Sequence, residues 1–377
     1  MMDLILTLDY ELPQNRRPDI RHYMLEPMQA LLEACESYGA KLTIMAEMAE
    51  LWAWERPENE GFRMSLGYDP AVAVRRQLVQ AVKGGHDVQL HLHPQWLGAR
   101  WSGKQWNLNY TKYRLPLLDY NELVKILRRG KRDLDEMLRP HCADYACLGF
   151  RAGNWITQPS ADYLRALQDA GLSSDTSVFK WGYIRTPSVF LDYRDAHSPI
   201  LPWYANGDIN RAAKNGVLEM PIYAEPTRIW GLFSLKRLGL ASRYFFEDRM
   251  IARAVSSPFP AAPKDGQREG KLHGLLRVYP RKFDFCKLTA REMIGMVERI
   301  LREYDPGDEA RILPVVAMGH SKEIGRCSDI SRFLREVRKG FSASVRFATY
   351  REAIRAVQMK WEVKNHGYGS AGYGDIV

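Results

Sequence analysis

Three of the chain's nine histidines, His86, His91 and His93, fall in one short segment, GGHDVQLHLHPQW, which runs from Gly84 to Trp96. Val88, Leu90 and Leu92 alternate with Gln89, His91 and His93, and Pro94 closes the run, so the segment reads as a strand of period two. Residues two apart share a strand face, which aims His91 and His93 the same way. Neutral imidazole is the commonest protein ligand of divalent metals, and two imidazoles at one strand end suit such an ion. The competing reading is a pair of hydrogen-bonded histidines at a polar strand end. His86, one strand length back and facing away, reads as structural.

Other reactive side chains also follow short apolar runs. Residues 4–8 lead into Asp9-Tyr10-Glu11, residues 146–150 into Arg151-Ala152-Gly153-Asn154-Trp155, and residues 312–318 into Gly319-His320-Ser321-Lys322. A strand at 172–177 holds Asp175. Further strands are predicted at 40–46, 217–222, 275–279 and 341–347. Helices are predicted at 24–38, 69–83, 121–137 and 160–170. Asp69 caps the second of these, Pro70 opens it and Gly84-Gly85 ends it. Thr289 with Glu292 signs a capping box, and Thr349 with Glu352 opens the last helix. Alternating strands and helices indicate a parallel sheet covered by helices, in which function collects at the C-terminal strand ends. If that sheet closes into a barrel, the polar strand ends converge on one mouth.

With 377 residues, 46% of them apolar and 11% aromatic, the chain can bury one large α/β core or two smaller ones. No apolar run approaches the roughly 20 residues of a membrane span. The N-terminus, MMDLILTLDYEL, has neither the basic start nor the small-residue cleavage site of a signal peptide, so a cytoplasmic location is expected. The five cysteines, Cys35, Cys142, Cys147, Cys286 and Cys327, form no C-x-x-C pair and read as reduced thiols. A net charge of +9 fits an anionic partner: nucleic acid, an acidic membrane surface or an anionic glycan. No nucleic-acid-binding signature accompanies the charge, and no nucleic-acid partner is expected. Two stretches, about 180–216 and 224–272, interrupt the alternation and read as insertions beside the mouth. The second holds a basic apolar helix near 229–254 that either packs on the barrel or makes a peripheral contact at the inner face of the membrane. Residues 1–361 read as a single domain and 362–377 as a disordered tail.

In chain order these segments resemble the signatures of the polysaccharide deacetylases of carbohydrate esterase family 4, the NodB-homology proteins. They are Thr7-Leu8-Asp9-Tyr10-Glu11, then Gly85-His86-Asp87-Val88 with His91-Leu92-His93-Pro94, then Arg151-Ala152-Gly153-Asn154-Trp155, then Asp175-Thr176-Ser177 with Trp181, then Val316-Ala317-Met318-Gly319-His320. The forms HLHPQW, FRAGNW, KFDFCKLT and GHSKE look most like a lipopolysaccharide-biosynthesis branch, the WalW-like group. The resemblance spans residues 3–357 and departs from the family pattern twice. Tyr10 stands where the family has a second aspartate, leaving Glu11 on the face of Asp9, and the H-x-x-x-H spacing from His91 lands on Gln95, leaving His93 as the second imidazole.

The resemblance implies a distorted barrel of about seven parallel strands, a (β/α)7 fold with insertions at the mouth, that removes acetyl groups from N-acetylated sugars. It implies a divalent metal, zinc by expectation, held by Glu11, His91 and His93. Asp9 would be the base, Arg151 would hold it by a bidentate pair, His320 would be the acid and Asp175 would orient His320. Trp96, Trp155 and Trp181, with Asn154, would meet the sugar, and Trp101 and Trp106 are further aromatics near by. The expected substrate is an acetylated sugar or lipid-linked glycan precursor of lipopolysaccharide or another surface polysaccharide. A barrel that has lost hydrolysis and serves glycan assembly as a binding subunit stays open, as does metal-dependent hydrolysis of another C–N or phosphoester bond.

Overall fold

The computed structural model describes residues 1–13, 19–186, 189–232, 277–304, 313–324 and 327–366. A nine-stranded sheet forms its centre. The strands are β1 (Met2–Tyr10), β2 (Leu42–Glu47), β3 (Asp87–Leu92), β4 (Gly149–Ala152), β5 (Ser174–Asp175), β6 (Trp203–Ala205), β7 (Val217–Glu219), β8 (Leu313–His320) and β9 (Val345–Phe347). They lie in the order β6-β7-β5-β4-β3-β2-β1-β8, and β9 also pairs with β1. β6 runs antiparallel to β7, whereas the other pairings are parallel. Setting β6 and the off-path β9 aside leaves seven of the nine strands. Just past β7, Ile222 bridges Val316 of β8 in parallel, and the Tyr223 amide donates to the Val316 carbonyl at 2.9 Å. The sheet therefore curls until its ends meet, as the expected distorted barrel.

Every residue of β1, β2, β3 and β8 is buried. Strands covered on both faces read as continuous apolar runs, which is why residues 2–8 and 313–318 carry so few polar side chains. Helix ends follow local chemistry. The Asp69 carboxylate accepts from the amides of Ala71 and Val72 and opens the helix Pro70–Lys83, which stops at Gly84. Thr289 and Glu292 make their reciprocal cap on the helix Ala290–Glu303, and Thr349 and Glu352 exchange the same bonds.

Three expectations are corrected. Residues 180–216 are not wholly an insertion: Gly182–Arg185 and Phe190–Tyr193 form a hairpin, but Trp203–Ala205 joins the main sheet as its antiparallel edge. The strand expected at 275–279 is Tyr279–Lys282, paired antiparallel with Ala224–Thr227, because the cross-strand partner rather than the apolar run sets its register. The helix expected near 229–254 is not among these: Ile229–Leu232 is a single tight helical turn, and the rest, with the linker behind it, lies outside the described residues. The last helix, Tyr350–His366, continues past Trp361, so the expected tail begins too early; residues 367–377 lie outside the described residues. The five cysteines carry no disulfide. Among the described residues no helix is long and apolar enough to cross a membrane.

Candidate active site

The seven parallel strands each carry a polar side chain at or next to their C-terminal end: Asp9, Glu47, His91, Arg151, Asp175, Glu219 and His320. Register pairs Asp9 with His320, Glu47 with His91, His91 with Arg151, and Asp175 with Glu219. Paired parallel strands lie about 4.8 Å apart, so the register brings neighbouring functional groups within reach of one another. The result is a cavity of about 240 Å³ lined by Asp9, Glu11, His91, His93, Asn154, Trp155, Lys282, Lys287, His320 and Lys322.

Asp9 and Arg151 are both buried, and Arg151 Nη1 donates to Asp9 Oδ1 at 2.6 Å. The expected bidentate pair is corrected: the other donors of Arg151 go to the Thr176 carbonyl at 2.9 Å and the Thr7 hydroxyl at 2.8 Å. One Asp9 oxygen thus stays turned toward His320, with Oδ2 3.5 Å from Nε2. Gly153 permits the tight turn beside this pair. A Cβ there would meet the Leu92 carbonyl at 2.7 Å and the His93 ring at 2.8 Å. Asn154 and Trp155 follow at φ +55° each, which points them into the cavity mouth. The buried Asn154 Nδ2 has no hydrogen-bond partner among the described residues.

Glu11, His91 and His93 each bring one ligand atom within 4.8 Å of the others. His91 Nδ1 lies 2.8 Å from the Arg151 carbonyl oxygen, to which it donates, and its buried Nε2 makes no hydrogen bond among the described residues. That nitrogen stands 3.6 Å from Glu11 Oε2. His93 Nδ1 is 2.8 Å from Glu47 Oε2 and 3.1 Å from Glu11 Oε2. Burial opposes a charge on His91, but Asp9, Glu11 and Glu47 push its pKa up to about 9. Burial likewise opposes the Glu11 carboxylate, yet Lys322, His93 and His91 hold it well below the ordinary range. An orphaned imidazole nitrogen beside an ionised carboxylate, in surroundings that demand positive charge, fits a divalent cation.

His320 faces Asp9 and Glu11 through Nε2 and Glu323 through Nδ1, at 3.4 Å. Asp284 lies in the same group of ligand atoms. The expected role of Asp175 is therefore corrected. Its oxygens are taken by the Tyr163 hydroxyl at 2.5 Å and by the Ser177 amide and hydroxyl, next to Glu219 and away from His320. Burial raises both carboxyls, and Glu219 also feels Asp175. Burial lowers the His320 pKa well below the ordinary imidazole value; Lys287 and Lys322 add to this and Glu11 and Asp284 oppose it.

Of the four expected substrate contacts, Trp155 and Asn154 line the cavity. Trp96 and Trp181 do not. Trp96 is buried against Trp106, which meets Phe62 and Trp101 in a closed aromatic cluster, and Trp181, at φ +65°, packs on the core. Trp155 instead meets His320 edge-on at 5.6 Å and carries Lys282 Nζ 3.4 Å over its ring. His86 is structural, accepting from the Leu42 amide at 3.0 Å. Sequence reasoning missed Glu47, Asp284, Glu323, Lys282 and Lys287. Glu47 ends the strand LTIMAE and obeys the strand-end rule that found the others; Lys282, Asp284 and Lys287 sit in KFDFCKLT, whose chemistry has no periodic signature.

No family model matches the sequence, and no curated protein matches it. Solved structures share its fold. A protein of Parabacteroides distasonis described as a glycoside hydrolase/deacetylase is similar with a TM-score of 0.53 at 13% identity, over 95% of this chain and 71% of that one. A Mycobacterium smegmatis protein described as a polysaccharide deacetylase has a TM-score of 0.45 at 14% identity, over 100% of this chain and 94% of its own. A GH57-type branching enzyme from Pyrococcus horikoshii has a TM-score of 0.46 at 13% identity, over 94% and 70%. What the chain shares with such structures is the fold: a mostly parallel, curled sheet covered by helices, of the deacetylase and glycoside hydrolase type.

Proposed function

We propose that this chain is a metal-dependent hydrolase that removes an N-acetyl group from a sugar of a lipopolysaccharide or other surface-polysaccharide precursor. One observation carries the reading: a buried Asp9–Arg151 pair, with His320 3.5 Å from the second Asp9 oxygen, opens on the same cavity as the Glu11, His91 and His93 group. A divalent ion held there, with zinc as the first choice, would polarise an amide carbonyl and lower the pKa of water.

The chain's own residues divide the remaining work. Arg151 fixes Asp9, which takes the proton of the attacking water. His320 delivers a proton to the amine nitrogen as its bond to the acetyl carbon breaks. His320 is uncharged at rest and must first gain that proton, and Asp9, one contact away, is its nearest source. Water adds to the carbonyl carbon, and the products are acetate and a free amine. Trp155 offers an aromatic face to the sugar, and the unused Asn154 amide a donor.

The test is acetate release from N-acetylated oligosaccharides and lipid-linked precursors by purified protein, with Asp9→Asn as control. A second reading, a binding subunit without hydrolysis, draws on Lys322, whose ammonium lies 2.9 Å from Glu11 Oε1 and competes with a metal for that carboxylate. Glycan binding without acetate release, with or without added zinc, would favour it.

A further inference from the structure

Three ammonium groups line the cavity, and their partners differ. Lys322 is paired with Glu11 at 2.9 Å, and Lys287 with Asp284 at 3.2 Å and Glu323 at 3.1 Å. Among the described residues no carboxylate lies within 4.0 Å of the Lys282 ammonium. It rests instead on aromatic faces, 3.4 Å over the Trp155 ring and 4.5 Å over that of Phe179. A cation held by ring faces keeps its hydrogen-bond donors for a ligand. The two carboxylates of the cavity are already countered, Asp9 by Arg151 and Glu11 by Lys322. Lys282 reaches the cavity from the strand Tyr279–Lys282, on the side of Trp155 and His320.

We propose that the cavity takes a sugar bearing an oxyanion, a carboxylate or a phosphate, and that Lys282 is its contact. The inference deepens the deacetylase reading and rests on it for the sugar, though not for the anion. It places the charged substituent on the Trp155 wall, away from the Glu11, His91 and His93 group, so that metal and oxyanion do not compete for one position.

The contact carries its own pH signature. Burial, with Lys287 and Arg151, pulls the Lys282 ammonium down to about 7, against Asp284 and Asp9. Glu11, His91, His93, His320 and Lys322 complete the charged and titratable lining of the cavity. An oxyanion binds the protonated form, so affinity falls about tenfold for each pH unit well above 7. Arginine at this place would stay charged and flatten that dependence.

Calorimetric titration tests this on protein as purified and after chelator treatment. The probes are N-acetylglucosamine 1-phosphate, N-acetylmuramic acid and neutral N-acetylglucosamine, with sulfate as an oxyanion of constant charge. One or both anionic sugars should bind at least about tenfold more tightly than the neutral one, and which does so identifies the phosphate or the carboxylate. Lys282→Ala should abolish that preference and the sulfate binding. Lys282→Arg should keep both and lose the fall in sulfate affinity between pH 7 and 9. Circular dichroism checks that the variants fold. Equal affinity for charged and neutral sugars, no sulfate binding, or binding indifferent to Lys282→Ala would each overturn the proposal. Lys282-dependent oxyanion binding by protein that releases no acetate from N-acetylated oligosaccharides or lipid-linked precursors would sink the deacetylase reading and leave the oxyanion site standing.

Discussion

His91 donates its Nδ1 proton to the carbonyl of Arg151, its register partner on the neighbouring strand, at 2.8 Å. The bond fixes the ring orientation: Nδ1 donates to the carbonyl, and Nε2 faces Glu11, where a cation would take the place of its proton. The same Arg151 holds Asp9 with its guanidinium. One residue therefore ties the orientation of a candidate metal ligand to that of the candidate base, through backbone on one side and side chain on the other.

Elemental analysis should accordingly find about one divalent metal per chain, lost in His91→Ala and Glu11→Gln. Because Asp9, Glu11 and Glu47 raise the His91 pKa to about 9, it carries a proton at pH 7, and metal uptake there should release that proton. Titration in buffers of different ionisation enthalpy measures that release. Less than about a tenth of a metal per chain after zinc addition would remove the site.

Asp9 and His320 should each be needed for turnover. Asp9→Asn and His320→Ala are expected to lower acetate release by about 100-fold or more with unchanged circular dichroism, the usual range for losing a positioned acid or base. Asp175→Asn should act differently. Its bonds to Tyr163 and Ser177 are structural, so it should reduce stability and leave the pH dependence of turnover as it was.

Arg151 is fully buried and paired with Asp9 at 2.6 Å. Removing one partner of a buried ion pair leaves the other unpaired, at a cost of roughly 3–5 kcal/mol. Arg151→Met should show a loss of that size in denaturant unfolding, and Arg151→Met combined with Asp9→Leu should recover part of it. A single variant as stable as the parent would show that Asp9 is satisfied by other groups.

The reach of the sequence had a physical limit. Strand ends were legible because a strand buried on both faces must be apolar until the chain leaves the sheet, so Asp9, His91, Arg151 and His320 stood out against their own strands. Helix ends were legible because caps are local, as with Asp69 and Thr289. The partner of a side chain was not legible. Asp175 and Asp284 each stand near an aromatic residue and a strand end, but barrel curvature turns Asp175 toward Tyr163 and brings Asp284 beside Met318, next to His320. Aromatic residues were ambiguous for the same reason: Trp96 and Trp155 both follow a polar strand end, and only the backbone at Gly153 sends one of them to the cavity.

That divergence is testable. Trp155→Ala should raise KM for an N-acetylated oligosaccharide with little effect on stability. Trp96→Ala should do the reverse, costing about 3–5 kcal/mol, as expected when a large aromatic leaves a closed cluster. Equal KM values for Trp155→Ala and the parent would take the sugar off that wall.

Asp87, at the start of β3, offers a check on the fold that is independent of any activity. It is buried and accepts hydrogen bonds from the Arg351 amide at 3.1 Å and from Gln89 Nε2 at 3.1 Å, with Arg351 Nε 3.4 Å away. Burial pushes its carboxyl up to about 6, and the pull of Arg351 only partly offsets this. A carboxyl raised above its unfolded value of about 3.9 binds its proton more tightly in the folded chain. The stabilisation this gives is complete below about pH 4 and is lost as the pH rises through about 6. Measured against Asp87→Asn in urea unfolding, the parent should thus lose roughly 1–3 kcal/mol between pH 4 and 7, and nothing more above that. A parent–variant difference that stays constant with pH would show that Arg351 fully offsets the burial of Asp87, and that the bottom of the barrel holds this charge as readily as water does.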